Sequence, residues 1–226
     1  MILENISLIA LVSYALFLGV FHAFEADHIA AVTALSSRTR GAKRVAKIGL
    51  FWGLGHTLVL FIAGVIVLFL GVSIPDGLSS FFEALVGISL CILGVYIIAK
   101  VRREKLHIHT HSHDGKKHMH LHSHQHSSRH THEHNSLFFG ALHGLAGSGA
   151  IVLLVIATAH SIIEGLVFIA AFGIGSILSM TCVSFVFGHI LEKISEIATL
   201  VRTVRYGAGI FSISVGVLLV IQQFPL

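Results

Sequence analysis

Six long apolar segments constrain this chain more than any other feature of its sequence. Each approaches or exceeds the roughly 20 residues that an α-helix needs to cross the hydrocarbon core of a membrane, which is about 30 Å thick. Charged residues make up 12% of the chain, about half the share found in soluble domains. The sequence therefore predicts an all-α fold, a polytopic membrane helix bundle of about six transmembrane helices. The predicted spans are residues 6–30, 48–72, 81–99, 137–159, 162–188 and 206–223.

The basic residues lie on one side of the predicted bundle. All 15 Lys and Arg residues fall in three segments, Arg38–Lys47, Lys100–Arg129 and Lys193–Arg205. With six spans these segments share one side, and the positive-inside rule assigns that side to the cytoplasm. We therefore expect a multi-pass protein of the cytoplasmic (cell) membrane, in contact with lipid, with both termini outside.

Residues 101–135, the histidine tract, separate two halves, residues 1–100 and 136–226. Twelve of the 18 histidines lie in this tract, many in an alternating H-x-H pattern. Its apolar residues are too few to form a core, so we predict a disordered loop on the cytoplasmic side. Its neutral imidazoles are candidates for a metal trap or sensor whose affinity falls as the pH drops through about 6.5. The alternative is a solvated linker with incidental histidines.

Two short patterns recur in the two halves. A G-x-x-H motif occurs at Gly19–His22 and again at Gly140–His143. Glycine pairs seven residues apart also occur in both halves, Gly87 with Gly94 and Gly209 with Gly216. Three spans per half would make the halves an inverted repeat, as in many transporters. The first motif lies deeper in its segment than the second, however, so a 3+3 inverted repeat and two unrelated halves both stay open.

The first apolar segment contains two histidines and two carboxylates, His22, Glu25, Asp27 and His28. A charge at the centre of a membrane span costs about 2.5–3.5 kcal/mol on insertion scales, so an ionisable cluster there indicates a functional site. On an ideal helix His22, Glu25 and His28 share a face, whereas Asp27 lies about 140° away from His22. We therefore expect either a distorted helix around residues 23–26 or a carboxylate that orients one of the histidines.

These side chains, joined by His56 and His143 from other segments, are candidate ligands of a divalent transition metal ion. Imidazole suits nickel, copper, zinc and iron, while carboxylates add negative charge that offsets the cation. Cys91 and Cys182 each lie alone in an apolar span, as small buried hydrophobic residues do, and the lack of a thiolate site argues against Cu(I). The alternative is a set of polar residues that hydrogen-bond to one another and pack the bundle. For His143 that alternative is a helix-packing hydrogen bond.

The segment FHAFEADHIAAV, with its H-x4-D-H core, resembles the signature of the nickel/cobalt transporter family. GLGHTLVLF, around His56, is similar to that family's second motif, and LHGLAGSGAIVLLV resembles its short six-span members, here with a His-rich loop. The resemblance implies that His22, Asp27 and His28 are metal ligands essential for transport, with His56 near the path of the ion. It leaves the role of Glu25 less defined.

The sequence thus predicts an integral-membrane permease, not an enzyme, whose substrate is Ni²⁺, Co²⁺ or both. Zn²⁺ is a further candidate substrate, and no prosthetic group is expected. The sequence of the first motif resembles that of uptake permeases, so uptake is the direction that we expect. The six-span size and the His-rich loop resemble nickel and cobalt exporters, so efflux is the alternative.

Other classes of function have less support in the sequence. The nucleotide-binding loop G-x4-G-K-[ST] is absent, so we expect neither a nucleotide site nor a nucleic-acid partner. A membrane metalloenzyme is a remote alternative, because H-E-x-x-H is absent. A metal sensor without transport activity is another, and whether the chain forms an oligomer stays open.

Overall fold

The computed structural model describes residues 2–37, 39, 41–71, 75–103, 108–113, 116–121, 136–146, 155, 159 and 161–223. This part of the chain contains seven helices and two short strands. The helices are α1 (Ile2–His22), α2 (Ala26–Ser36), α3 (Ala42–Leu70), α4 (Asp76–Arg103), α5 (Ser136–Ala146), α6 (Ile162–Lys193) and α7 (Ala198–Gln223). The strands, β1 (Ile108–His113) and β2 (Lys116–Leu121), lie between α4 and α5 in the chain.

Four of the described helices, α3, α4, α6 and α7, are long and apolar enough to cross a membrane. α1 and α2 meet at an angle of 55° and satisfy the same criterion together, which gives a fifth crossing if the bent pair is one span. α5 is a shorter apolar helix at the start of the fourth predicted span, most of whose remainder lies outside the described residues. The predicted multi-pass helix bundle is confirmed. The predicted six spans are not, since the described residues provide four or five.

The ends of two spanning helices follow from local sequence signals. α3 is followed by Gly71, whose φ of 64° lies in the left-handed region that glycine adopts without strain and whose N–H donates to the carbonyl of Val67. α6 begins after Ser161, whose Oγ accepts a hydrogen bond from the N–H of Glu164 at 3.2 Å. The carboxylate of Glu164 also lies in the first turn, where it complements the positive end of the helix dipole.

The bundle consists of two helix groups joined by the short helix α2. α6 packs against α1 and α3, and α4 packs against α7. α2 contacts both groups, α4 and α7 in one and α3 and α6 in the other. Its buried residues Ala30, Ala31 and Val32 belong to a core cluster that also contains Trp52 and Met180. Apolar packing therefore holds α2 between the groups and fixes the position of its first turn.

The outward faces of the spanning helices are strongly apolar. Large aliphatic and aromatic side chains are exposed along them, among them Leu70 at 68%, Phe81 at 56% and Ile163 at 74%. Soluble monomers rarely expose contiguous apolar surface of this extent, and such surface marks a membrane or protein contact. The exposure agrees with a bundle whose outer surface is in contact with lipid.

The contact between α4 and α7 depends on four glycines. Gly94 lies against Gly209, and Gly87 lies against Gly216. A Cβ added to Gly94 would stand 2.5 Å from the carbonyl oxygen of Gly209, which a side chain can reach only if a backbone moves. The two glycine pairs noted in the sequence as a recurring pattern are thus partners in one helix–helix interface.

We expect Gly94→Ala to lower the free energy of unfolding of the bundle by about 1–3 kcal/mol, the usual cost of overpacking. Gly207→Ala is the matched control, because Gly207 also lies within a helix but has open space where a Cβ would stand. There alanine should be neutral or slightly stabilising. Thermal unfolding in detergent measures both variants, and equal melting temperatures would contradict the packing argument.

β1 and β2 form an antiparallel hairpin within the histidine tract. Asp114 and Gly115, which stand between the strands in the sequence, lie outside the described part of the chain. At these strands the structure has paired backbone where the sequence analysis predicts disorder. Residues 104–107 and 122–135 lie outside the described part of the chain, and their disorder stays a prediction.

Candidate metal centre

The first predicted span is broken at its ionisable cluster. α1 ends at His22 and α2 begins at Ala26. The intervening turn is closed by hydrogen bonds from the N–H of Phe24 to the carbonyl of Phe21 (2.9 Å) and from the N–H of Glu25 to the carbonyl of His22 (3.1 Å). The axes of the two helices differ in direction by 55°. The helix distortion predicted from the spacing of the ionisable residues is confirmed.

The break places the ionisable groups at helix ends that favour them. Asp27 lies in the first turn of α2, near its positive N-terminus, and His22 lies in the last turn of α1, near its negative C-terminus. Discontinuous helices of this kind present substrate ligands in many transporters. The break therefore places the ionisable side chains of α1 and α2 together at the junction of the two helices.

Four histidines from four helices meet at the break. His22 of α1, His28 of α2, His56 of α3 and His143 of α5 are each at most 8% exposed. The ring centroid of His28 lies 4.5 Å from that of His22, 5.2 Å from that of His56 and 5.7 Å from that of His143. One ring nitrogen from each of His22, His28 and His56 lies within 4.8 Å of the others. The structure thus brings together all four histidines that the sequence analysis selected.

Three of these imidazoles are oriented by a hydrogen bond at Nδ1. His22 Nδ1 bonds to Glu25 Oε1 at 2.8 Å, and His28 Nδ1 bonds to Asp27 Oδ1 at 2.9 Å. His143 Nδ1 bonds to the carbonyl of Phe139 at 2.9 Å. Ionised carboxylates and carbonyls only accept, so each Nδ1 carries the proton and donates. In the neutral imidazole the lone pair then lies on Nε2, the atom left to bind a metal ion.

The nitrogens that remain have no partner within the described part of the chain. The Nε2 atoms of His22, His28 and His143 are buried without a hydrogen bond, and so are both ring nitrogens of His56. Leaving such an atom unsatisfied costs about 1–3 kcal/mol, so a cluster of five requires an explanation. A divalent transition metal ion would provide that explanation, because it accepts electron pairs from several imidazoles at once. The donor set fits such an ion.

Two carboxylates form a second, more exposed group around His28. Ligand atoms of Glu25, Asp27 and His28 lie within 4.8 Å of one another. The side chain of Asp27 is 21% exposed and that of Glu25 is 56% exposed, whereas the imidazole cluster is buried. His28 belongs to both groups. The arrangement therefore leads from a more exposed acidic group to a buried group of nitrogen donors.

Two aromatic residues that the sequence reasoning missed, and one glycine, form the walls of the centre. Trp52 stacks on His28 at a centroid distance of 5.9 Å and meets His143 edge-on at 4.9 Å. Phe172 contacts the ring of His22 at 5.2 Å. A Cβ on Gly144 would stand 2.5 Å from the carbonyl oxygen of His56, so α5 approaches the centre closely only because this position is glycine.

Comparison with known proteins places the chain in a membrane family. The family described as "Cytochrome C biogenesis protein transmembrane region" matches residues 10–218. The urease accessory protein UreH of Bacillus sp. (strain TB-90) is 34% identical over 178 residues, which cover 79% of this chain and 76% of the relative. No solved structure matches the chain. The chain belongs to the family described as the cytochrome C biogenesis protein transmembrane region and is a relative of the urease accessory protein UreH.

Proposed function

We propose that this protein is a permease that moves a divalent transition metal ion, Ni²⁺ or Co²⁺, across the cytoplasmic membrane. The observation that carries the proposal is the group of buried imidazoles with unpartnered nitrogens at the break of a membrane-crossing helix pair. Ionisable groups at membrane depth mark substrate and ion pathways. The relative named as a urease accessory protein supports nickel as the first candidate substrate. Zn²⁺ is a further candidate.

The two groups around His28 suit successive positions of the ion. Glu25 and Asp27, the more exposed pair, attract the hydrated cation and offset its charge. The Nε2 atoms of His22, His28 and His56 then replace its water, with His143 as a fourth donor. Because His28 is common to both groups, the ion passes from one to the other without losing all of its protein ligands. Neutral nitrogen ligands hold a divalent ion without a thiolate, which permits release.

We propose that the chain crosses the membrane six times, with α1 and α2 as one broken span and α5 as the start of another. Six crossings place all three basic segments on the cytoplasmic side together with the histidine tract, and both termini outside. α5 begins where the sequence predicts the fourth span and is itself apolar. Mapping of single cysteines introduced into the loops, in intact cells, tests this topology.

An inverted repeat of the two halves is supported by contacts that recur with exchanged partners. Gly19 lies against the backbone of Phe172, and Gly140 lies against the backbone of Trp52. Each glycine begins a G-x-x-H motif. The histidine that ends the motif contacts the ring of the aromatic residue whose backbone its glycine contacts, so His22 contacts Phe172 and His143 contacts Trp52. The centroids of the histidine ring and the aromatic ring are 5.2 Å apart for the motif of the first half and 4.9 Å apart for the motif of the second half.

The other helix pairs show the same exchange. Gly53 lies against Ile177, and Gly173 lies against Thr57, with the same sequence offset between counterparts. The glycine pairs between α4 and α7 are likewise exchanged with each other. Such exchange is what a pseudo-twofold axis between two inverted halves produces, and transporters of this design bind substrate where the halves meet. The histidine cluster lies at that position, since each half contributes histidines to it.

The family description names cytochrome C biogenesis, but this chain offers no paired thiols within its described residues. Cys91 and Cys182 are free and lie on α4 and α6. Cys91 is directed to the carbonyl of Ile213 at 3.7 Å. The polar centre consists of imidazoles and carboxylates, so we propose metal transport rather than a reaction of a cysteine pair.

We propose uptake as the direction, because the first motif resembles uptake permeases; efflux is the alternative. Cells that produce the protein should accumulate more nickel or cobalt than control cells at low external concentration. Lower metal content with greater metal tolerance would instead establish efflux. Proteoliposomes containing only this chain test flux without cellular partners, with protein-free liposomes as control. No metal flux above that control for any of Ni²⁺, Co²⁺ and Zn²⁺ would overturn the permease.

A further inference from the structure

Ser176, in the middle of α6, is a buried polar residue to which the proposed function gives no role. Its side chain is 0% exposed, and its Oγ has no hydrogen-bond partner within the described part of the chain. A hydroxyl in a helix can bond to the carbonyl one turn earlier, as Thr181 does with Ile177 at 2.7 Å. Because Ser176 makes no such bond, its hydroxyl is available to a group that the described residues do not supply.

The position of Ser176 on α6 places it beside the candidate metal centre. Residues four apart share a helix face, so Ser176 lies between Phe172 and Met180. The ring of Phe172 contacts His22, and Met180 packs in the same core cluster as Trp52. Both neighbours of Ser176 on this face therefore contact the centre or its walls.

Ser176 corresponds in sequence to His56 of the other half. The segment WGLGH ends at His56 and the segment FGIGS ends at Ser176, with glycine at the same two places in each. In both segments the third residue is exposed and the other four are buried. α3 and α6 thus share a local pattern in which the imidazole of α3 is replaced by a hydroxyl on α6.

The neighbours of the two segments correspond as well. Gly55, just before the histidine, lies against the backbone of Leu137 in α5. Gly175, just before the serine, lies against the backbone of Leu16 in α1. Both leucines precede the glycine of a G-x-x-H motif by three residues. Under the proposed inverted repeat, the serine therefore occupies in one half of the centre the place that the histidine occupies in the other.

We propose that Ser176 is a further substrate-binding residue of the metal centre, whose hydroxyl holds a water molecule bound to the transported ion. The inference rests on the proposed permease function and adds a residue to that site. A hydroxyl extends less far from the backbone than an imidazole, so its oxygen does not reach the place of the histidine nitrogen. A water ligand of the ion bridges that distance and hydrogen-bonds to Oγ.

A hydroxyl at this place suits a site that must release its ion. An imidazole in place of Ser176 would displace the water and bind the ion directly, since imidazole is a good ligand of Ni²⁺ and Zn²⁺. The serine leaves that position of the ion to water instead. The centre then binds the ion less tightly than one with an additional nitrogen ligand, which favours release.

Ser176→Ala is the first test, with Ser184→Ala as the matched control. Ser184 lies about two turns later in α6 and is also buried with an unpartnered Oγ, but it lies against Gly49 of α3. Ni²⁺ binding to the full-length protein in detergent is measured by quenching of Trp52, the single tryptophan, which stacks on His28. We expect about tenfold weaker binding in Ser176→Ala, the loss of one hydrogen bond, and a change within about twofold in Ser184→Ala.

Melting temperatures of the metal-free variants separate a binding role from a packing role. Removal of a buried hydroxyl that has no partner does not destabilise the fold, so Ser176→Ala should melt at the wild-type temperature or above it. A serine that only packs the helices predicts the reverse, a lower melting temperature with unchanged Ni²⁺ affinity. That result, or equal affinities of Ser176→Ala, Ser184→Ala and the wild type, would overturn the proposal.

Ser176→His is the converse test. We expect about tenfold tighter Ni²⁺ binding, because the imidazole replaces the water ligand. Unchanged or weaker binding by a folded Ser176→His would contradict the shared position of serine and histidine, and the proposal with it. If this variant does not fold, Ser176→Ala decides alone.

Failure of this inference is distinguishable from failure of the proposed function. Binding that is lost in His28→Ala but unchanged in Ser176→Ala would retain the metal centre and reject the role of Ser176. Absence of Ni²⁺ binding at Trp52 in the wild type would reject the centre itself, and this residue with it.

Discussion

Replacing His28 by alanine is expected to reduce Ni²⁺ transport by more than about 100-fold, because even residues that only orient a metal ligand contribute about 10–100-fold. His28 is the one residue common to the imidazole group and the carboxylate group. Its ring also contacts His22, His56 and His143, so its removal takes away the donor that lies next to all the others. Initial rates of ⁶³Ni²⁺ uptake into proteoliposomes measure the effect.

His189→Ala is the matched control for this experiment. His189 lies in α6, is exposed and stacks on Phe185, away from the metal centre. Its loss should change the rate by no more than about twofold, as expected of a surface substitution. Equal melting temperatures of the two variants would show that the loss is one of function. Normal transport by His28→Ala would contradict the proposed centre.

The location of the candidate metal centre follows from the sequence, because ionisable groups in an apolar segment are costly without a partner. The positions of His22, Asp27 and His28 on an ideal helix were incompatible with one ion, and the helix is indeed broken between them. The alternative to a distorted helix, a carboxylate that orients a histidine, also occurs: Asp27 orients His28, and Glu25 orients His22. Local chemistry therefore predicted local geometry.

The walls of the centre could not be predicted in the same way. Trp52 and Phe172 are aromatic residues in apolar spans, and nothing in their local sequence distinguishes them from lipid-facing residues such as Phe81. Their role appears only when α6 packs against α1 and α3 packs against α5. The number of membrane crossings is difficult to predict from the sequence for another reason. A span interrupted by polar residues, such as α1 with α2, is one segment by hydropathy but two helices by structure.

The glycine patterns show how helix packing explains a weak pattern in the sequence. In the sequence, the spacing shared by Gly87/Gly94 and Gly209/Gly216 only indicated that the halves resemble each other. In the structure, each glycine lies against a glycine of the opposite half. Small residues allow backbones to approach closely where apolar attraction between helices is absent. The glycine pattern therefore recurs because the two helices of this interface both need small residues where their backbones meet.

Asp27→Asn is expected to weaken Ni²⁺ binding by about 10–100-fold, more than Glu25→Gln does. Both carboxylates accept a hydrogen bond from an imidazole Nδ1, and both supply negative charge beside the ion. Asp27 orients His28, the residue common to both ligand groups, whereas Glu25 orients His22, which belongs to the imidazole group alone. Loss of the Asp27 charge therefore disturbs both groups and costs more than loss of the Glu25 charge. An amide in either position keeps the size of the side chain and removes the charge.

The single tryptophan of the chain provides a direct measure of this binding, since Trp52 stacks on His28. Ni²⁺ and Co²⁺ quench indole fluorescence at short range, so titration of the purified protein reports occupancy of the centre without transport. Glu196→Gln, a charge-removing change at an exposed residue after α6, is the matched control and should leave the titration unchanged. A larger loss for Glu25→Gln than for Asp27→Asn would reverse the assigned order of the carboxylates. It would identify the exposed group, rather than the partner of His28, as the principal source of negative charge for the ion.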